Sequence, residues 1–488
     1  LLVGLAAGAP ALAAAEQPYS VDVATTSGYR TVDVGGAKDK YREDYNLHSG
    51  LRLFDLTIDG RARAPESTRL DRFHLEVETP GDEPASHFRL TAADRSLYDL
   101  RVDFTRSKYF YAVPRLFEEP VPGDVRLDDL HDFNFVRTNG VVDLTLHAPH
   151  LPTLLFGYRV YERHGDGVST VGIPAGDTFL AGAPVDSVTH VGRLGTEFKT
   201  LGTNVFLQQE YRRVDRHNDL GPVLDSAGLD PTDASQLQVF QSTQHEHLDI
   251  PATTVRLWRP VGDRLELTGA YLYSHADLGF DLDRRRVGTS DVPVLPTHVV
   301  TTGGGAAALD TQVADAGASL RIVERVHLNL AYRFNARDQA GHLDETTSFG
   351  AVAAATGDHV RVNAVTSEIE VDPRDDLSLR AGMRWGQRDA RFSGSGQNIT
   401  TDTVGAVAGA RWRPHAFLDL YARYENLQVD DPFTVPGDPN LGPGVPERQI
   451  ALTFTNRATA GLRLTPREWI TLSYQLVADS RENASFAA

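Results

Sequence analysis

Apolar and polar residues alternate with a period of two along most of the chain. The clearest stretch is 371–383, read VDPRDDLSLRAGM. Beyond the turn Asp372-Pro373-Arg374-Asp375, Leu377, Leu379, Ala381, Met383 and Trp385 fall on one face. Asp376, Ser378, Arg380, Gly382 and Arg384 fall on the other. Such alternation predicts a β-strand with one apolar and one wet face. Turns at 148–152, 201–204, 259–263, 323–326, 413–416 and 465–468 each lead into a similar strand. Examples are Leu265, Leu267, Gly269, Tyr271, Tyr273 and Leu418, Leu420, Ala422, Tyr424. Five of these seven turns contain Pro, whose fixed φ and missing N–H suit a turn. Weaker strands are expected at 21–34, 51–58 and 73–77, and a firmer one (Tyr98, Leu100, Val102, Phe104) follows the turn at 93–96.

Between the hairpins lie segments rich in Gly, Asp, Pro, Ser and Ala with no period: 109–131, 164–187, 216–236, 277–312, 338–358, 389–402 and 430–447. Short turns on one rim and long loops on the other predict a single transmembrane, antiparallel, up-and-down β-barrel in the bacterial outer membrane, with the short turns periplasmic. The alternation gives about 19 strands, and a barrel with both termini in the periplasm needs an even number. About 20 strands (18–22) are therefore expected, with the last C-terminal strand missing from this sequence. Residues 1–15, LLVGLAAGAPALAAA, form an apolar run ending in small-x-small cleavage sites without an initiator Met or basic residues. They predict a partial signal peptide, which leaves 16–488 for the barrel.

Composition narrows the function. The chain has 488 residues, 41% of them apolar, with 42 Gly and 26 Pro. Beyond the N-terminus no stretch approaches the roughly 18 apolar residues of a spanning helix, so only a closed sheet can cross a bilayer. There is no Cys, which excludes disulfides, thiolate metal sites and covalent haem attachment on this chain. A formal charge of −18 argues against nucleic acid.

With the apolar face toward lipid, the other face supplies the interior: Arg101, Asp103, Arg159, Arg256, Glu266, Arg333, Glu368, Asp376, Arg380, Arg384, Arg423 and Arg463. A charge on the lipid face near the midplane costs a few kcal/mol, so these must meet water or protein. They fit a wet pore or a polar plug, and equally a wall whose charges only keep the interior solvated. Tyr158, Tyr271, Tyr273, Tyr332, Trp385, Trp412, Tyr424 and Tyr474 lie near strand ends on the lipid side, as interfacial aromatics do. His245 and His247 share a strand face but no third metal ligand is identifiable. Asp-rich pieces at 164–167 and 430–432 lack calcium-loop spacing, and Gly303-Gly304-Gly305 lacks a strand–helix context. No G-x-S-x-G is present, so no catalytic residues are assigned.

Several short motifs point further. Ser27-Gly28-Tyr29-Arg30, Lys40-Tyr41-Arg42-Glu43-Asp44, Leu97-Tyr98-Asp99-Leu100-Arg101-Val102, and Leu144-Thr145-Leu146-His147-Ala148-Pro149 with Phe156-Gly157-Tyr158-Arg159 resemble the MtrB/PioB-type, decahaem-associated outer-membrane barrels. The resemblance implies a porin-like sheath without chemistry or cofactor of its own. A periplasmic multihaem c-type cytochrome fills such a sheath and carries electrons across the membrane. Two features depart from the family: the N-terminal C-x-x-C of some members is absent, and the strand count is lower. The alternative expectation is a general diffusion porin for small polar solutes, with 277–312 (Asp281, Asp283, Arg284, Arg285, Arg286) folded inward as its constriction.

Overall fold

A computed structural model describes residues 18–487 apart from 37, 64–68, 81–82, 112–132, 148–149, 173–176, 229–232, 290–297, 394–395, 436–446 and 468. The proposed signal segment 1–15, most of 109–131 and most of 430–447 lie outside the described residues.

Twenty strands form one continuous antiparallel sheet. In chain order they begin with β1 (Tyr19–Arg30), β2 (Gly50–Ala62), β3 (Arg72–Glu78), β4 (Ala85–Asp94), β5 (Tyr98–Tyr111), β6 (Phe133–Leu146) and β7 (Thr153–Gly165). A small separate hairpin, β8 (Val168–Gly172) and β9 (Thr178–Gly182), interrupts the ladder before β10 (Val185–Thr200). The sheet resumes with β11 (Thr203–His217), β12 (Leu220–Ala227), β13 (Gln236–Val261), β14 (Leu265–Thr289), β15 (His298–Val323), β16 (Val326–Thr347) and β17 (Gly350–Arg374). It ends with β18 (Leu377–Phe392), β19 (Gln397–His415), β20 (Leu418–Val435), β21 (Glu447–Arg467) and β22 (Ile470–Ala487). Strands β11 and β12 run end to end along β13, so they occupy one place in the wall. Among the described residues no ladder joins β1 to β22. Among the described residues a single short helix, α1 (Lys38–Asp44), sits between β1 and β2.

The expected up-and-down order is present, but the expected long loops mostly are not. Segment 277–312 belongs largely to β14 and β15, paired from Asp277↔Ala308 up to Val287↔His298. Segment 338–358 is the upper half of β16 and β17, closed by a turn at Ser348-Phe349. Segment 389–402 belongs largely to β18 and β19. Strands β13 to β17 are 26, 25, 26, 22 and 25 residues long. A tilted strand crosses a bilayer in roughly 9–11 residues, so their upper halves stand clear of the membrane. There both faces meet water or protein rather than lipid. The apolar alternation lapses although the hydrogen-bonded ladder continues.

The prolines also shift. Pro373, Pro414 and Pro466 do not lie in the turns but in register shifts just before them, at Val371/Arg374, Trp412/His415 and Leu464/Arg467. A bulge leaves one residue unpaired, so the missing N–H removes no ladder bond. The turn after Pro373 is Asp375-Asp376. Neighbouring turns are tied by backbone bonds: Arg321 N–H donates to Arg264 O at 2.7 Å, Asp372 N–H to Arg325 O at 2.9 Å, and Arg413 N–H to Asp376 O at 2.7 Å.

At the opposite rim, Glu83 is 5% exposed and takes Arg30 at 2.7 Å and Arg52 at 2.5 Å. It thus links the β1–β2 and β3–β4 ends. Removing one member of a buried ion pair strands the other charges. Glu83→Ala should cost about 2–3 kcal/mol, less than a fully buried pair because the arginines keep some water. The urea midpoint of the chain refolded in detergent checks this.

Candidate functional site: the charged face of the wall

Register settles which side chains share a face. On β14 the apolar set Leu265, Leu267, Gly269, Tyr271 stands opposite Leu320, Ala318, Ala316, Ala314 on β15. These continue to Leu328, Leu330, Tyr332 and Phe334 on β16, then to Ile369 and Val365 on β17. The row passes on through Leu379, Ala381, Met383 and Trp385. Such a continuous apolar band meets lipid, and the intervening charged positions line the interior.

A row of tyrosines on the apolar face marks the upper edge of the band. Each bonds a polar side chain on the next strand: Tyr158 to His190 (2.8 Å), Tyr211 to Asp249 (2.5 Å), Tyr273 to Asp310 (2.9 Å), Tyr332 to Asn363 (2.8 Å) and Tyr424 to Asn456 (2.8 Å). A phenol with its ring in hydrocarbon and its hydroxyl in the headgroup layer is at home there. Above this row the two faces exchange character on β14 and β17, while Arg216, Glu246 and Arg337 on β11, β13 and β16 stay inward. The outward positions become His275, Asp277, Asp281 and Asp283 on β14, and Asn363, Arg361 and His359 on β17. The inward positions become Ala276, Leu278, Phe280 and Leu282, and Ala364, Val362 and Val360, all half-buried.

The residues singled out in the sequence are placed as follows. Asp103 on β5 accepts from Arg89 Nε at 2.9 Å, pairs with Arg101, and has His87 at 3.4 Å. Nearby, His74 sits 2.9 Å from Asp59 on the same face. Arg333 pairs with Asp315 at 2.6 Å. The Arg256 guanidinium lies over the Phe206 ring at 5.3 Å. Arg159 pairs in register with Val141 and Val191, Glu266 with Ser319, and Glu368 with Asn329. Asp376 differs from its strand assignment. It lies in the turn, accepts from the Trp412 indole at 3.0 Å and has Arg374 at 3.1 Å. Arg380, Arg384 and Arg423 line one concavity, with Arg463 on the same wall, paired with Asp419 in register. The structure thus unites Arg101 with Asp103, and Arg380, Arg384 and Arg423 with one another. It leaves Arg159, Arg256, Glu266 and Glu368 apart.

One feature escaped the sequence. Hairpin β8–β9 packs on the wall through Val171, Phe179 and Ala181 against Val223, Leu237 and Phe240. Phe179 and Leu237 are 0% exposed and Phe240 2%. β13 keeps its register from Val239 to Val261, so Phe240 shares the face of Arg256. Arg286, paired with Phe240, donates to Gly172 O at 3.3 Å. The hairpin therefore folds onto the inward face, a role expected of 277–312, which is wall instead. Its only sequence signal is the run Thr178-Phe179-Leu180-Ala181, too short to stand out from a loop. Arg411 and Arg457 join the arginine concavity as well.

The paired histidines do not gather a metal-like set. His217 and His245 stack at 4.3 Å on the outward face, and among the described residues no group of three or more His, Asp or Glu is placed to hold a metal.

No family model matches the chain, and neither does any curated protein. Among solved structures, the chain is similar to the ferric yersiniabactin uptake receptor FyuA from Yersinia pestis: 9% identity, TM-score 0.41, 87% of this chain and 80% of that one. It is similar to the siderophore receptor PirA from Acinetobacter baumannii at 10% identity and TM-score 0.36, over 90% and 78% of the chains. A Pseudomonas aeruginosa FadL homologue matches at 14% identity and TM-score 0.27, over 81% and 89%.

Two substitutions test these faces. Leu330→Lys on the apolar band should cost about 2–4 kcal/mol in lipid, whereas Asn329→Lys on the charged face should stay within about 1 kcal/mol; urea titration in vesicles compares them. Phe179→Ala should free the β8–β9 hairpin from the wall, since an emptied aromatic site costs about 3–5 kcal/mol. Limited proteolysis of the folded chain should then cut within 168–182 while the sheet stays intact.

Proposed function

We propose that the chain is an outer-membrane sheath whose interior holds a periplasmic multihaem c-type cytochrome, so that electrons cross the membrane from haem to haem in the partner. The chain supplies the wall and binds no cofactor itself. The observation that carries this reading is the exchange of faces on β14 and β17 above the tyrosine row. A tall upper tier with Leu278, Phe280, Leu282, Val360 and Val362 among its inward positions, beside Arg284 and Arg337, suits packing against an amphipathic protein surface better than passage of small polar solutes. Two further points support it. Among the described residues, everything except α1, the β8–β9 hairpin and the connections belongs to the wall, so no described domain of this chain fills the interior. The lower tier carries charges of both signs, which suits a polar protein insert. The resemblance of the 97–102 and 144–159 motifs points to a cytochrome as that insert.

A second reading is a diffusion porin for small polar solutes. The inward β8–β9 hairpin favours it, because a hairpin lying on the inner face narrows the passage.

Affinity purification of the tagged chain from native membranes, followed by haem staining, separates the two. A haem-stained band of a second protein is the expected result. Absence of any haem-stained partner, together with steady ion conductance of the purified chain in a planar bilayer, would overturn the sheath in favour of the porin.

A further inference from the structure

The charged face is unevenly built. Arg380 and Arg384 on β18, Arg411 on β19, Arg423 on β20 and Arg457 on β21 surround a concavity of about 630 Å³ together with a single carboxylate, Glu425. Five guanidinium groups against one acid is unusual in a chain of net charge −18. Some of these arginines are neutralised locally: Arg411 Nε donates to Asp419 at 2.9 Å, and Arg423 pairs with Glu425. Among the described residues no carboxylate forms a salt bridge with Arg380, Arg384 or Arg457. The contrast with β5 is plain, where one carboxylate, Asp103, holds Arg89 and Arg101 together.

The floor of the concavity is shaped to receive these side chains. A methyl group at Gly409 would stand 2.9 Å from Cγ and 3.2 Å from Cδ of Arg380. The arginine stem therefore lies across a position kept open by glycine. Tyr421, another lining residue, lies over Gly461 in the same way, its Cζ 2.4 Å from where a Cβ would be. Arg384 shares the face of Arg380 on β18 with Gly382 between them; in register Arg380 stands opposite Glu370 and Arg457 opposite Glu425, without a salt bridge in either case.

We infer that the inner wall of β18–β21 is a binding surface for a multiply charged oxyanion. Planar guanidinium forks match carboxylate and phosphate oxygens in pairs, and clustered like charges gain most when one polyanion answers several of them. The same chemistry has two sources: a small polycarboxylate or polyphosphate in solution, or carboxylates clustered on a protein held in the barrel. The inference rests on the barrel and the register alone, not on the cytochrome.

The test is calorimetric titration of the purified full-length chain in detergent with citrate, and separately with pyrophosphate. Saturable binding that weakens on adding salt is expected. It should fall about tenfold or more in an Arg384→Gln/Arg457→Gln variant, while Arg89→Gln/Arg101→Gln keeps the original affinity. Heat-modifiable gel migration confirms that each variant is folded. Absence of binding by the folded parent chain, or equal affinity in Arg384→Gln/Arg457→Gln, would overturn the inference. The sources are then separated in native membranes: a protein partner retained by the parent and lost from Arg384→Gln/Arg457→Gln assigns insert carboxylates, and an unchanged partner set assigns free oxyanions. Because titration uses the isolated chain, its outcome is independent of any haem-stained band.

Discussion

Inside a bilayer no water is available to a peptide N–H or C=O, and each unpaired group costs several kcal/mol. That constraint governs every other feature of this chain. It favours strands paired along their length on both sides, and the register from β13 through β17 achieves this with few interruptions. It also dictates where proline is tolerated. Pro373, Pro414 and Pro466 occupy bulges at the ends of descending strands, where the ladder is already broken. Backbone bonds between adjacent turns, such as Thr465 N–H to Phe417 O at 2.7 Å, then tie neighbouring hairpins together at that rim.

Satisfied backbone frees the side chains to answer their surroundings, and the surroundings change along a strand. Below the tyrosine row the outer neighbour is hydrocarbon, so Leu328, Leu330 and Tyr332 face out while His327, Asn329 and Arg333 face in. Above it the outer neighbour is water. β14 then turns His275, Asp277 and Asp281 outward and Leu278 and Phe280 inward without any change in pleat. One regular strand thus carries two opposite amphipathic patterns, joined where a tyrosine hydroxyl meets an Asp, Asn or His on the adjacent strand.

This inversion explains what could be read from sequence. The lower halves of the strands were legible because one face is obliged to be apolar: 265–273, 328–334 and 377–385 show it residue by residue. The upper halves were not. With Gly, Ala, Thr and Asp alternating against small or moderately apolar residues, segments such as 338–358 look like loops although Gln339↔Asp358 and Leu343↔Ala354 are paired. Hairpin β8–β9 was hidden for a different reason. Its core partners Leu237 and Phe240 lie far along the chain from Phe179, and no local period reports a contact made across that distance. Side assignment by parity placed Arg380, Arg384 and Arg423 on one face, but it could not say that Arg411 and Arg457 complete a single concavity, which is a matter of register between strands.

Register is therefore also what gives the charged face its chemistry. Alternation alone scatters arginine and carboxylate along each strand. The offset between neighbours decides whether an arginine meets an acid, as Arg89 meets Asp103, or meets other arginines. Along β18–β21 the offset sets Arg380 opposite Glu370 and Arg457 opposite Glu425 and gathers both with Arg384, yet among the described residues none of the three forms a salt bridge. Such a cluster repels itself unless water or an anion intervenes. The glycines at 409 and 461 leave room for the Arg380 stem and the Tyr421 ring to lie against that part of the wall. That arrangement favours an answering anion over a wall whose charges serve solvation alone. Pairing each arginine with an acid, as on β5, would keep the interior wet at less electrostatic cost.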